Sequence, residues 1–253
     1  MIELWQLPLL FATGLMAGFV DSIAGGGGLI ALPVLLSCGL DPQRALGTSK
    51  LQAAFGSGSA AWHYARAGAV DLRDCGRGFM LTLAGAALGT LTVQRLDPSF
   101  LRRAIPVMLA VVGLYSFLRP RPGETHLHPR LSRAAFDLLL GLALGFYDGF
   151  FGPGAGTFWT MAFVLGMGFN LTRATASAKV MNFASNIASL ALFLLAGQVV
   201  FTAGLAMGAG QWLGARLGSR MVLARGAKFI RPIFITVVLA LTAKLIYDAW
   251  SRR

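Results

Sequence analysis

Two acids and two lysines stand where an apolar chain should carry no charge. Asp21 lies within the otherwise uncharged run Leu4 to Leu40 and is followed by Gly25, Gly26, Gly27 and Gly28. Asp148 lies within a second apolar region, Leu138 to Leu171, and is followed by Gly152, Gly154 and Gly156. Lys50 and Lys179, two of only four lysines in the chain, each sit in an otherwise apolar stretch. A charge in lipid is costly and marks a functional site by default. Consecutive glycines destabilise a helix, yet they let backbone approach a ligand closely. Together these residue types suit anion recognition. The lysines bring positive charge. Thr48, Ser49, Gln52, Ser177, Asn182 and Asn186 bring hydrogen bonds. The helix restarted after each glycine stretch brings backbone N–H groups at its positive end. Asp21 and Asp148 have three open roles: pairing with the lysines, capping the glycine-rich turns, or taking up a proton, since burial raises a carboxyl pKa. For the lysines the plainer alternative is snorkelling to the membrane surface.

Such residues need elements that hold them in a membrane. The chain has 253 residues, 56% hydrophobic and 13% charged, with mean hydropathy +0.67. Soluble domains carry about 25% charged residues, so a polytopic membrane protein is expected, with the lipid bilayer as its surroundings. The net charge of +12 collects at the ends of apolar runs, as at Arg102, Arg103, Arg119 and Arg121. That pattern suits membrane topology and lipid headgroups, not nucleic acid. Cys38 and Cys75 are too few and too far apart for a metal site or a disulfide framework. His126 and His128, in a Pro-rich connector, read as polar loop residues, so neither metal nor cofactor is expected.

Leu4 to Leu40 is too long for one crossing: a straight helix of that length would run about 55 Å against a hydrocarbon core of about 30 Å. A broken or re-entrant element is expected there, and again over Leu138 to Leu171. Further helices are expected over Arg44–Ala65, Phe79–Val93, Ala104–Leu118, Thr172–Ala196, Val199–Ala215 and Pro232–Trp250. Basic residues Arg216, Arg220, Arg225, Lys228 and Arg231 are expected in a loop. Pro153 suits the first position of a new helix.

An internal repeat organises these elements. Gly14-Leu-Met-Ala-Gly-Phe-Val-Asp21 matches Gly141-Leu-Ala-Leu-Gly-Phe-Tyr-Asp148, and Arg44-Ala-Leu-Gly-Thr-Ser-Lys50 matches Arg173-Ala-Thr-Ala-Ser-Ala-Lys179. Both acids and both lysines therefore fall on matching positions. The expected fold is all-α and polytopic, with two homologous halves, 1–120 and 131–253, joined by a connecting loop at 121–130. Each half holds about four hydrophobic helical elements, the first of them broken or re-entrant at its glycine-rich stretch. The halves run parallel if each long element crosses once, and inverted if each turns back. Either way the N- and C-termini lie on one side.

The residues Gly18-Phe-Val-Asp-Ser-Ile-Ala-Gly-Gly-Gly-Gly28, Pro33 and Gly47-Thr-Ser-Lys-Leu-Gln52 closely resemble the TauE/SafE family of sulfite exporters, in particular its YfcA-like branch. So do Asp148-Gly-Phe-Phe-Gly-Pro-Gly-Ala-Gly-Thr-Phe158 and Ala174-Thr-Ala-Ser-Ala-Lys179-Val-Met-Asn182-Phe-Ala-Ser-Asn186. The resemblance covers essentially the whole chain. It implies a multi-pass permease of the bacterial inner membrane, arisen by duplication and moving small sulfur-containing or organic anions. Ala178 departs from the pattern, which has a hydroxyl residue before the lysine.

The rival readings are weaker. An intramembrane hydrolase needs a nucleophile beside a base, and on a helix the side chains of adjacent Ser49 and Lys50 diverge. No P-loop order and no His-Glu-x-x-His motif is present, so no catalytic residues are expected. A secondary transporter of small anions, with proton or ion coupling open, is the leading expectation. An anion channel or a non-transporting membrane scaffold is the alternative.

Overall fold

A computed structural model describes residues 2–118 and 128–225. Among them are nine α-helices and no strand: α1 Gln6–Ala24, α2 Gly27–Ser37, α3 Pro42–Arg66, α4 Gly76–Gln94, α5 Pro98–Leu118, α6 Arg133–Phe150, α7 Ala155–Met167, α8 Leu171–Leu195 and α9 Phe201–Arg225. The expected helix Pro232–Trp250 and His126 lie outside the described residues.

The helix ends follow from local chemistry. Asp41 caps α3 by accepting the Arg44 N–H (3.1 Å), with Pro42 at the first position. Asn170 caps α8 through the Arg173 N–H (2.9 Å). Both side chains satisfy a donor that a helix start leaves orphaned. At the other end of α1, Gly25 takes φ +79°, and its N–H reaches the Asp21 carbonyl. Only glycine adopts that left-handed turn at little cost. The helix after the second glycine stretch starts later than Pro153. Gly154, at φ +81°, is the capping residue, so α7 begins at Ala155.

Helix α9 also differs from expectation. It runs on to Arg225, so Arg216 and Arg220 belong to a helix and not to a loop. The reason is packing. Gly214, Gly218 and Val222 bury one face, while the arginines stay exposed and Arg216 lies over the Trp212 ring at 5.8 Å.

Small residues set how the helices meet. On α1, a Cβ at Gly14 or Gly18 would overlap the backbone of Met207 or Gln211 on α9, and one at Gly210 or Gly214 would overlap Phe11 or Leu15 in return. Gly85 and Gly89 of α4 meet Leu142 and Phe146 of α6 in the same way. Without a hydrophobic force between helices in lipid, such close backbone approach is the main source of attraction.

The same contacts give directions. Along α1, Phe11, Leu15 and Ser22 meet Gly210, Gly214 and Gly218 in order, so α1 and α9 are parallel. Leu51 and Phe55 meet Gly204 and Gly208, so α3 is parallel to both. With α1 and α3 pointing the same way, α2 has to carry the chain back between them. At 11 residues, or about 16 Å, it is too short to cross a core of about 30 Å. Helix α8 runs against α3: Gly47 meets Phe193, and Gly58 meets Phe183.

The outside of this bundle is oily. Leu9 and Met16 on α1, Leu88 and Leu91 on α4, Leu138 and Leu139 on α6, and Leu205 and Leu217 on α9 are all exposed. A surface this apolar suits lipid, not water.

Candidate functional site

The tips of the two short helical returns meet in the interior. A Cβ at Gly156 would lie 2.6 Å from the Gly25 Cα, and one at Gly28 would lie 3.0 Å from the Pro153 Cα. The Thr157 hydroxyl donates to the Ala24 carbonyl at 2.7 Å, which ties the tips together.

Beside this junction Asp21, Lys50, Asp148 and Lys179 form two ion pairs, and each pair is crossed. Lys50 of α3 binds Asp148 of α6 at 2.7 Å, and Lys179 of α8 binds Asp21 of α1 at 2.8 Å. Both lysines are buried, at 4% and 0% exposure, so neither snorkels to the surface. Asp21 also accepts the Gly27 N–H (3.1 Å), capping the start of α2. Asp148 is held by side chains: Asn182 Nδ2 donates to it at 3.0 Å, and the Ser185 hydroxyl donates to the same oxygen. The Lys50 ammonium additionally donates to the Asp148 carbonyl. Asn182 touches both pairs, because its Oδ1 lies 3.5 Å from the Lys179 ammonium.

Asp21, Lys50, Asp148 and Asn182 line a cavity of about 40 Å³. It has room for about three waters, at the 10–15 Å³ that one needs on this scale. Of the residues expected at a site, Asp21, Gly25, Gly28, Ser49, Lys50, Asp148, Gly152, Gly154, Gly156, Asn182 and Asn186 line it. Lys179 stands just behind Gly156: a Cβ there would lie 3.0 Å from its Nζ. The others lie elsewhere. Thr48 accepts the Val200 N–H at 3.0 Å, a helix-to-loop tie. Ser177 is buried away from the cavity, and Gln52 is buried with both amide atoms unpartnered. Gly26 caps α2, and the Gly27 N–H is taken by Asp21. Backbone donors at the second tip are likewise occupied: Ala155 and Thr157 N–H reach the carbonyls of Gly152 and Gly154.

Sequence reasoning missed Ser185 and Gln211. Gln211 lines the cavity from α9, and its Oε1 is buried without a partner. Each is a single polar residue on a helix, and neither has a counterpart in the repeat motifs. Among the described residues no group of three or more His, Cys, Asp or Glu is placed to hold a metal ion.

Residues 10–245 match the family model described as Sulfite exporter TauE/SafE. The chain belongs to the TauE/SafE family. Its TauE/SafE relatives are similar over nearly their full lengths. A "Probable membrane transporter protein" of Haemophilus influenzae is 47% identical over 242 residues, covering 96% of this chain and 95% of the relative. The "Probable membrane transporter protein YfcA" of Escherichia coli K12 is 45% identical over 249 residues, covering 98% and 93%. A Bacillus subtilis relative, "Probable membrane transporter protein YunE", is 25% identical over 267 residues, covering 95% and 97%. No solved structure matches the chain. The TauE/SafE assignment makes the oily exterior a lipid-facing one and places the paired charges inside a membrane protein.

Proposed function

We propose that this protein is a secondary transporter carrying small anions across the bacterial inner membrane. Sulfur-containing oxyanions, organosulfonates and organic acids are the substrate classes that suit it. One observation carries the reading: two crossed Lys–Asp pairs surround a small cavity where two helix breaks meet, with Asp21, Lys50 and Asp148 in its wall and Lys179 just behind Gly156. A buried ion pair seldom stabilises a protein more than an apolar pair of the same volume would. Two such pairs therefore point to a use for the charges. An anion entering the cavity competes with Asp148 for Lys50 and with Asp21 for Lys179. Ser49, Asn182, Asn186 and the bare backbone at Gly25, Gly28, Gly152, Gly154 and Gly156 are the groups within reach of it.

Inverted halves support the same reading. The repeated motifs make segments 1–120 and 131–253 two copies of one unit, and the opposite directions of the matched helices α3 and α8 support their being inverted. Inverted repeats with midplane sites at broken helices are a recurrent transporter design, in which the halves rock about a fixed site. On this arrangement both termini face the same side. The relatives' names, probable membrane transporter proteins, agree with transport.

Purified protein in liposomes tests the proposal with sulfite, thiosulfate and short alkanesulfonates. Saturable flux is expected, and it should fall at least tenfold in Lys50→Ala and in Lys179→Ala. Full flux in both variants removes the site. Flux rising linearly with concentration would make the protein a channel, and no flux of any of these anions would favour a membrane scaffold.

A further inference from the structure

The two charge pairs are not equivalent, and the difference assigns them different tasks. Asp148 is saturated. Its carboxylate accepts the Lys50 ammonium, the Asn182 amide and the Ser185 hydroxyl, and its side chain is 4% exposed. A proton arriving at Asp148 would have to displace one of these donors. Asp21 accepts only the Lys179 ammonium and the Gly27 N–H, and its side chain is 17% exposed, facing the cavity. The repeat explains the contrast. Where half two carries Asn182 and Ser185, the matching positions of half one carry Ala53 and Gly56, which have nothing to donate.

Charge balance adds a second argument. Counting Lys179 just behind Gly156, the cavity and its immediate wall hold two lysines against two carboxylates, so the charges balance. A monoanion entering alone would leave it at net −1 inside the membrane, where uncompensated charge is costly. One proton restores neutrality, and the carboxylate that can receive it is the one with fewer donors and a path to water.

We propose that Asp21 is the carboxyl group that takes up the coupling proton, while Asp148 remains ionised as a fixed counter-ion. A proton from the bulk solution, relayed through the cavity, binds an Asp21 carboxylate oxygen, and the Lys179–Asp21 pair parts. The ammonium keeps its contact with Asn182 Oδ1 and accepts the anion beside Gly156. Proton and anion then move together, and the steps reverse on release. The titratable groups facing Asp21 are Lys179 from α8, Lys50 and Tyr64 from α3, and Asp148 from α6. Helices α2, α7 and α9 bring Gly28, Gly156 and Gln211 to the same cavity. This inference rests on the transport reading, but its test needs no substrate.

Infrared difference spectra of the full chain in lipid nanodiscs, recorded across an acid titration, report protonation of a carboxyl group shielded from bulk water through its C=O stretch. A shielded-acid band is expected in the wild type. It should vanish in Asp21→Asn and persist in Asp148→Asn. In Lys179→Gln its midpoint should move about one to three pH units higher, the usual effect of losing an adjacent opposite charge. If Asp148→Asn fails to fold, the Asp21→Asn and Lys179→Gln spectra decide alone. A band that survives in Asp21→Asn, or no shielded-acid band in the wild type, overturns the assignment. Failure of the transport reading would appear instead in the liposome flux, with these spectra unchanged.

Discussion

At the scale of single residues, the governing fact is that each lysine depends on an acid from the other half of the chain. Lys50→Met leaves Asp148 buried and ionised with Asn182 and Ser185 as its only side-chain donors. Removing one partner of a buried pair costs about 3–5 kcal/mol, and unfolding in detergent should show a loss of that size. The double variant Lys50→Met/Asp148→Asn should recover more than half of it, because no uncompensated charge remains. Equal losses in the single and double variants would mean the pair contributes little. The sequence showed which residues carry charge inside the apolar segments, since a lysine at 50 and another at 179 are conspicuous by type. It did not show the partners. Spacing along the chain cannot say whether Asp21 meets Lys50 or Lys179, because that depends on how the halves cross. Thr48 and Ser177 illustrate the opposite limit. They sit two residues before the lysines on the same helices, and that offset turns them away from the cavity and toward neighbouring backbone and packing.

At the scale of helices, close backbone contact does the positioning. A Cβ on Gly18 would overlap the Gln211 carbonyl of α9. Gly18→Ala therefore has to push two helices apart and should cost about 1–3 kcal/mol, the range for overpacking. Gly76→Ala is the control. This residue is exposed, already helical, and has nothing within 4 Å of a new Cβ. It should be neutral or stabilise by up to about 1 kcal/mol, since alanine favours helix over glycine. Thermal unfolding of the two variants in one detergent checks both signs. Helix existence was legible from apolar runs and caps such as Asp41 and Asn170. Helix ends were less so: the arginines at 216 and 220 read as a loop because charge in sequence looks like an exit from the membrane. In space, one face of α9 stays buried through Val222 while those side chains leave from the other.

For the molecule as a whole, the direction of α8 relative to α3 sets the topology. Ala67 follows α3 and Ala196 follows α8 at matched positions of the repeat, and both are exposed. In a background with Cys38 and Cys75 replaced by alanine, Ala67→Cys and Ala196→Cys should react with a membrane-impermeant maleimide from opposite faces of the membrane. Labelling from one face would mean that the halves run parallel and would remove the rocking arrangement. Loop charge does not distinguish the two arrangements, because arginines stand at or beyond the end of α3, at Arg66, Arg73 and Arg77, and also follow α4 at Arg95. The interdigitated glycines set the relative directions of α3 and α8, and their pairing exists only in three dimensions.

The meeting point of Gly25, Gly28, Pro153 and Gly156 sets a speed limit. There the described residues meet backbone against backbone, so no side chain swinging aside in the picoseconds to nanoseconds of a rotamer change can part them. Opening requires a pair of helices to move as bodies, and such motions take on the order of microseconds to milliseconds. Single-protein flux should therefore stay below roughly a thousand to a million events per second. Each event should show the steep temperature dependence of a collective rearrangement, not the shallow one of ions diffusing through an open pore.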